Sequence, residues 1–168
     1  MKGRKAGQIA YLGMLTALAF ILSYVESILP ISLGIPGVKI GLANLTVMVA
    51  LYTVGVKEAL CLSFIRIILV GFTFGNLASM MYSVAGGVVS FLVMVVLFHF
   101  EIFTETGVSI AGGVAHNLGQ LLVAVLVVEN TKLLFYFPVL CFSGTVAGCF
   151  IGVLAVMIIK RVKKVYKQ

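Results

Sequence analysis

Long apolar runs, separated by short stretches that contain glycine, proline or charge, fill almost the whole chain. A helix needs roughly 20 apolar residues to cross the hydrocarbon core of a bilayer, which is about 30 Å thick. The runs therefore predict six transmembrane helices in a single domain, residues 1–168. The second run is short, and we expect its outer end to be tucked into the protein. The predicted spans are Gln8–Leu29, Ile40–Val54, Lys57–Phe72, Asn76–Phe98, Gly107–Val128 and Pro138–Lys160.

Basic residues at both ends of the chain predict how these helices cross the membrane. Positive residues beside a span mark the cytoplasmic side. Both termini are therefore expected in the cytoplasm, which requires an even number of spans. Five spans, with the second run re-entrant, would place the basic C-terminus outside. The terminal basic residues are Lys2, Arg4 and Lys5, then Lys160, Arg161, Lys163, Lys164 and Lys167.

Composition supports an all-α integral membrane protein. The chain is 62% hydrophobic and 10% charged, with a mean hydropathy of +1.22, whereas soluble domains are about 45–50% apolar and about 25% charged. Its net charge of +7 is concentrated at the chain ends, which argues against nucleic-acid binding. Cys61, Cys141 and Cys149 lie in apolar runs without metal-ligand spacing, so we expect no metal site.

Small residues repeat at helical spacing in four of the predicted spans. Such stripes let helices approach closely in a bilayer, so we expect the stripes of the fourth and sixth spans to pack within the bundle. The first-span stripe fits either internal packing or the docking of another membrane subunit. The stripes are Asn76, Ser79, Ser83, Gly86, Gly87 and Ser90; Ala111, Ala115 and Gly119; Gly144, Gly148 and Gly152; and, in the first span, Ala6, Ala10, Gly13 and Ala17.

Eight polar side chains from five of the predicted helices share the outer half of the membrane. A charge near mid-membrane is costly and usually faces the protein interior or water, where it often marks function. Together with the proline- and glycine-containing segment Pro30–Lys39, which we expect to form a lid, they predict an outward-facing pocket of moderate size. The alternative is structural: Glu26 pairs with Lys39 or Arg66 to hold the bundle, and His116 and Asn117 join helices by hydrogen bonds. The eight are Glu26, Lys39, Asn44, Arg66, Asn76, His116, Asn117 and Gln120.

The residue types suggest binding rather than catalysis. Arg66 and Lys39 suit an anionic group, Glu26 would position one of them, and the amides and His116 would supply hydrogen bonds. The sequence contains no nucleophile motif, phosphate-binding loop or cofactor motif. We therefore expect no enzyme activity and no cofactor.

Three segments resemble the Gx transporter family, which is also called heptaprenyl diphosphate synthase component I. They are YVESILPISLGIPGVKIGLAN, GNLASMMYSVAGG and GVSIAGGVAHNLGQLLVA. The resemblance implies a six-helix fold like that of the substrate-binding S components of energy-coupling-factor transporters. Such proteins capture vitamins such as flavins or thiamine, and they dock through small residues of the first helix to a T subunit driven by two ATPases.

The second family name leads to a different hypothesis. Prenyl synthases hold magnesium and diphosphate with two aspartate-rich motifs, and this chain contains no Asp. A catalytic role in isoprenoid synthesis is therefore not expected, although a non-catalytic membrane subunit of such a complex stays an alternative. A purely structural membrane scaffold is a third. For a transport protein, the expected ligands are a flavin first, then a thiamine-like molecule or an isoprenoid phosphate.

Overall fold

Six α-helices and one short 3₁₀-helix form the fold. The computed structural model describes residues 2–28 and 41–166, and it contains no strand within these ranges. Each long helix lies within a few residues of a predicted span, while the 3₁₀-helix was not predicted. The helices are α1 Lys2–Ile28, α2 Asn44–Thr53, α3 Val56–Thr73, α4 Leu77–Phe100, α5 Glu105–Val128, the 3₁₀-helix Thr131–Tyr136, and α6 Phe137–Tyr166.

Four helical segments are long and apolar enough to cross a membrane: Ala6–Ile28, Leu77–Phe100, Glu105–Val128 and Thr131–Lys164. They indicate a membrane protein. The helix α3 has 18 residues, or about 27 Å at 1.5 Å per residue, but it carries Lys57, Glu58 and Arg66.

The helix α2 is shorter than the predicted second span. It begins at Asn44 and has 10 residues, which is about 15 Å and about half the thickness of a bilayer core. Residues Gly41–Ala43 precede it as a turn, and Gly41 has φ 86°. Its first eight residues are all buried. A helix that is apolar on every side is stable only when protein surrounds it, and α1, α3 and α6 pack around this one.

The helix α5 is packed between α4 and α6, and glycines bring the three backbones close together. A Cβ atom at Gly148 would lie 2.6 Å from Ile110 Cα, and one at Gly113 would lie 2.5 Å from the Gly144 carbonyl oxygen. Between α4 and α5, a Cβ at Gly119 would lie 2.6 Å from the Ala85 carbonyl oxygen. The predicted packing of the sixth-span stripe is therefore confirmed at Gly144 and Gly148.

The two ends of the bundle differ in the residues they carry. At one end α1, α3 and α5 finish while α2, α4 and α6 begin; we call it the Glu26 end. At the other, the Lys160 end, α6 continues beyond Ile159 as a helix with exposed Lys160, Arg161, Lys163 and Lys164. The main apolar core surrounds α2, and a second, smaller cluster of Tyr82, Leu121, Ala124 and Leu140 joins α4, α5 and α6.

Replacing Gly148 with Ala is expected to lower the stability of the protein by about 1–3 kcal/mol, because the added methyl group overlaps the backbone of α5. The matched control is Gly7→Ala, since a Cβ at Gly7 has no described atom within 4 Å. The fraction of monodisperse protein that survives heating in detergent, measured by size-exclusion chromatography, reports the difference. Equal heat resistance of the two variants would contradict the close α5–α6 packing.

Candidate functional site

A small polar cavity lies near the Glu26 end of the bundle, where four helices and the turn before α2 meet. Its volume is about 20 Å³, which is room for about one water molecule. Over the described residues, the cavity is therefore smaller than the pocket of moderate size that the sequence predicted. Three of the eight predicted site residues line it, namely Glu26 from α1, Arg66 from α3 and His116 from α5. The remaining lining residues are Ser23, Gly41, Ile67, Val70 and Ser83.

Arg66 is the cation at this cavity. Only 6% of its surface is exposed, and it lies seven residues before the end of α3 at Thr73, about 10 Å along the axis. Within residues 2–28 and 41–166, its Nε and Nη2 atoms have no hydrogen-bond partner. Burying a guanidinium is costly unless it is paired and hydrogen-bonded, so these two donors are the strongest indication of a missing partner.

Glu26 supplies the negative charge. Its side chain is half-buried two residues before the end of α1, and it acts electrostatically on Arg66. The carboxylate Oε1 also accepts a hydrogen bond from the backbone N–H of Gly41 at 2.5 Å. This bond ties the last turn of α1 to the turn that begins α2.

Gly41 is required for the shape of this corner. Its positive φ is one that side-chain-bearing residues rarely adopt, and a Cβ would lie 3.1 Å from Asn44 Nδ2 and 3.6 Å from His116 Cδ2. Asn44 is buried at the start of α2, beside the cavity lining. The predicted convergence of Glu26, Asn44, Arg66 and His116 is therefore present around the α2 N-terminus.

Close packing of α4 on α5 holds His116 in place. The imidazole is 3% exposed, and a Cβ at Gly86 would lie 2.9 Å from its Cε1 atom and 2.9 Å from Gln120 Cγ. Gln120 is fully buried in the same contact but does not line the cavity. The stripe residue Gly86 thus serves both helix packing and the placement of the histidine.

Asn117 and Asn76 have structural contacts. Asn117 Nδ2 donates to the carbonyl oxygen of Leu140 at 2.8 Å and to Ser143 Oγ at 3.1 Å, which joins α5 to α6. Asn76 is exposed, and its Oδ1 accepts from the Ser79 N–H at 2.7 Å as the N-cap of α4. Neither residue lines the cavity around Arg66.

Lys39 and the predicted lid, Pro30–Lys39, lie outside the residues that the structure describes. Two serines that line the cavity were not among the predicted site residues. Ser23 lies one turn before Glu26 on α1, a spacing that could have identified it, and it is 5% exposed. Ser83 was placed only in the packing stripe of the fourth span.

The predicted docking stripe is on the surface of the described structure. Ala6, Ala10, Gly13 and Ala17 are all exposed, on the side of α1 opposite the buried Leu15. Gly13 and Ala17 also line a groove of about 470 Å³ between α1 and α3, together with Thr16, Phe20, Ile21, Leu69 and Thr73.

The cavity around Arg66 offers the chemistry of a polar binding site. It combines a guanidinium, a carboxylate, an imidazole and two hydroxyl groups. Over the described ranges, no group of three His, Cys, Asp or Glu side chains is arranged to hold a metal ion. A larger groove of about 530 Å³ along α6 is lined by apolar side chains and Ser143, so it offers no charged partner to a ligand.

Comparisons with known proteins give one match. A family model described as heptaprenyl diphosphate synthase component I matches residues 15–158. The matched range contains every residue that lines the cavity. The comparisons with curated proteins and with solved structures return no match.

Replacing Asn117 with Ala is expected to destabilise the bundle by about 0.6–1.7 kcal/mol, the range of hydrogen bonds between membrane helices. Gln8→Ala, which shortens an exposed side chain of α1, is the control and should leave heat resistance in detergent unchanged. An Asn117→Ala protein that is as stable as the parent but has lost ligand binding would contradict the structural role.

Proposed function

The chain belongs to the heptaprenyl diphosphate synthase component I family, and from this premise we propose that it is a multi-pass membrane transport protein of the S-component type. It binds the anionic group of a small metabolite at Arg66, and the cavity, which has room for about one water molecule, has to open to admit the ligand. The observation that carries the proposal is the buried Arg66 side chain, with two donor atoms that have no partner in the described part of the chain. It does not act as an enzyme on this proposal.

The arrangement of charge along the bundle supports an orientation in the cell membrane. The exposed basic residues that extend α6 all lie at the Lys160 end, which the positive-inside rule assigns to the cytoplasm. The N-terminal basic residues at the start of α1 belong to the same end. The Arg66 cavity, near the Glu26 end, then faces the outside, as a protein that captures its ligand from the medium requires.

The expected ligand is a flavin or another vitamin-like anion. Arg66 suits the anionic group, because its planar guanidinium can form two parallel hydrogen bonds to a carboxylate or phosphate. His116 and the hydroxyls of Ser23 and Ser83 can contribute further hydrogen bonds. Lys39, outside the described residues, stays a predicted second cation. A thiamine-like molecule or an isoprenoid phosphate is the next expectation.

The exposed stripe on α1 supports docking to a partner in the membrane. Its four small residues allow a partner helix to approach the α1 backbone closely, and the adjoining groove has Gly13 and Ala17 on one wall and Leu69 and Thr73 of α3 on the other. The proposed partner is the T subunit of an energy-coupling module, which two ATPases would drive.

The family description also supports a second candidate function, a non-catalytic membrane subunit associated with heptaprenyl diphosphate synthesis. The absence of Asp from the sequence argues against a magnesium–diphosphate centre in this chain. In that role, a soluble synthase rich in aspartate would carry out the reaction and would associate with this protein.

Ligand binding is expected to depend on the cavity residues. A panel of flavins, thiamine analogues and prenyl phosphates is tested on the purified protein by native mass spectrometry. The member that binds should bind at least about tenfold more weakly to Arg66→Gln, because a charged hydrogen bond contributes about 1.5–3 kcal/mol. Lys164→Gln, an exposed cation at the opposite end, is the control. A panel without any binding, or equal binding to both variants, argues against this function.

Docking is expected to depend on the small residues of α1. Gly13→Leu places a bulky side chain in the stripe and should reduce co-purification with a T subunit and its ATPases from native membranes. Val25→Leu adds bulk at an exposed site on a different side of α1 and should leave co-purification unchanged. Recovery of a soluble, aspartate-rich synthase in place of the T subunit would favour the second candidate function.

A further inference from the structure

A carboxylate is already present where an anionic ligand would bind. Glu26 and Arg66 line the same cavity, and Glu26 is attached to the backbone N–H of Gly41 at the turn before α2. A buried guanidinium and the first turn of a helix are both features that favour anions. The protein's own carboxylate therefore lines the cavity that a ligand's carboxylate or phosphate would enter, and it accepts the Gly41 N–H that the ligand could use.

The cavity is too small to hold the Glu26 carboxylate and the ligand's oxyanion at the same time. A volume of about 20 Å³ holds about one water molecule, which is too little for a carboxylate or phosphate group beside the side chains that line it. Glu26 is the lining group most readily moved, because it is half-buried in the last turn of α1. Arg66 and His116 are held in the packed centres of α3 and α5 and are almost fully buried.

We propose, resting on the function proposed above, that Glu26 is a resident anion that competes with the ligand's oxyanion for Arg66. The ligand class is a molecule that ends in a carboxylate or a phosphate. Its oxyanion binds the Nε and Nη2 edge of Arg66, whose two N–H groups point in the same direction. Glu26 then leaves the cavity, so that one negative charge replaces another and the charge balance around Arg66 is kept.

Displacement of Glu26 has a consequence for the backbone. The bond from Gly41 N–H to Glu26 joins the end of α1 to the start of α2, and it is lost when the carboxylate moves away. The N–H of Gly41 becomes available to the ligand's oxyanion. Binding of the anion therefore releases α1 from the turn that precedes α2.

The competition gives Glu26 and Arg66 effects of opposite sign. Glu26→Gln removes the competing charge but keeps an oxygen that can accept from Gly41 N–H. It should bind oxyanions about tenfold more tightly than the parent, because the oxyanion no longer has to displace a charged carboxylate from its place beside Arg66. Arg66→Gln should bind them at least about tenfold more weakly. If Glu26 instead only positions Arg66, both substitutions weaken binding.

The experiment measures apparent dissociation constants of the purified full chain in detergent, from the rise in melting temperature with acetate or inorganic phosphate at constant ionic strength. Chloride at equal ionic strength is the reference anion. Glu129→Gln is the matched control, because it makes the same change at an exposed carboxylate of the Glu26 end. Glu26→Asp keeps the charge on a shorter side chain and should bind oxyanions with an affinity between those of the parent and Glu26→Gln.

Tighter oxyanion binding by Glu26→Gln, with no change in Glu129→Gln, supports the competition. Equal or weaker binding by Glu26→Gln overturns it, and so does an equal effect of chloride. If Glu26→Gln does not fold, Glu26→Asp decides: equal or weaker binding than the parent overturns the competition. If the protein binds a neutral metabolite but no oxyanion, the proposed function stands and this inference is overturned. If the protein binds oxyanions but captures no metabolite and no partner, this inference stands and the proposed function is overturned.

Discussion

The burial of one positive charge, that of Arg66, constrains the rest of the Glu26 end. A guanidinium in an apolar helix bundle is unfavourable unless opposite charge and hydrogen-bond acceptors surround it. The chain has only five acidic residues, and one of them, Glu26, is at this cavity with His116 and two serines. These groups come from α1, α3, α4 and α5, so four helices converge on this one charge.

Glycine packing determines where such a site can form. The backbones of α4, α5 and α6 are too close together to leave a cavity between them, because Gly113, Gly119 and Gly148 replace side chains at the contacts. The α1 side of the bundle is different, since most residues of α1 are exposed or half-buried. The cavity lies between these two parts, with His116 on the closely packed side, Glu26 on α1 and Arg66 on α3.

Much of the fold could be predicted from the sequence, because the length of an apolar run is closely related to the length of a helix. The starts of α3 and α4 were predicted to within one residue. The start of α2 was wrong by four residues, because Gly41 forms a turn, with a positive φ, inside an apolar run. The 3₁₀-helix Thr131–Tyr136 has no apolar periodicity long enough to reveal it.

The site was predictable in its membrane depth but only partly in its contacts. His116 and Asn117 are adjacent in sequence, yet 100° per residue on a helix turns one toward the cavity and the other toward Leu140. Asn76 could have been recognised as an N-cap from its position before an apolar run. Which of several buried polar groups share a cavity depends on helix rotation and on contacts such as Gly86 with His116, and a single sequence does not contain that information.

The two proposed roles of the protein meet on α1. Glu26 lies near one end of this helix, and the exposed stripe from Ala6 to Ala17 ends nine residues earlier, about 14 Å along the axis. An unbroken helix moves as a unit over that length, and no proline interrupts α1. A shift of α1 that follows the loss of the Glu26–Gly41 bond would therefore move the stripe as well, so that a partner docked on α1 would respond to ligand binding without touching the ligand.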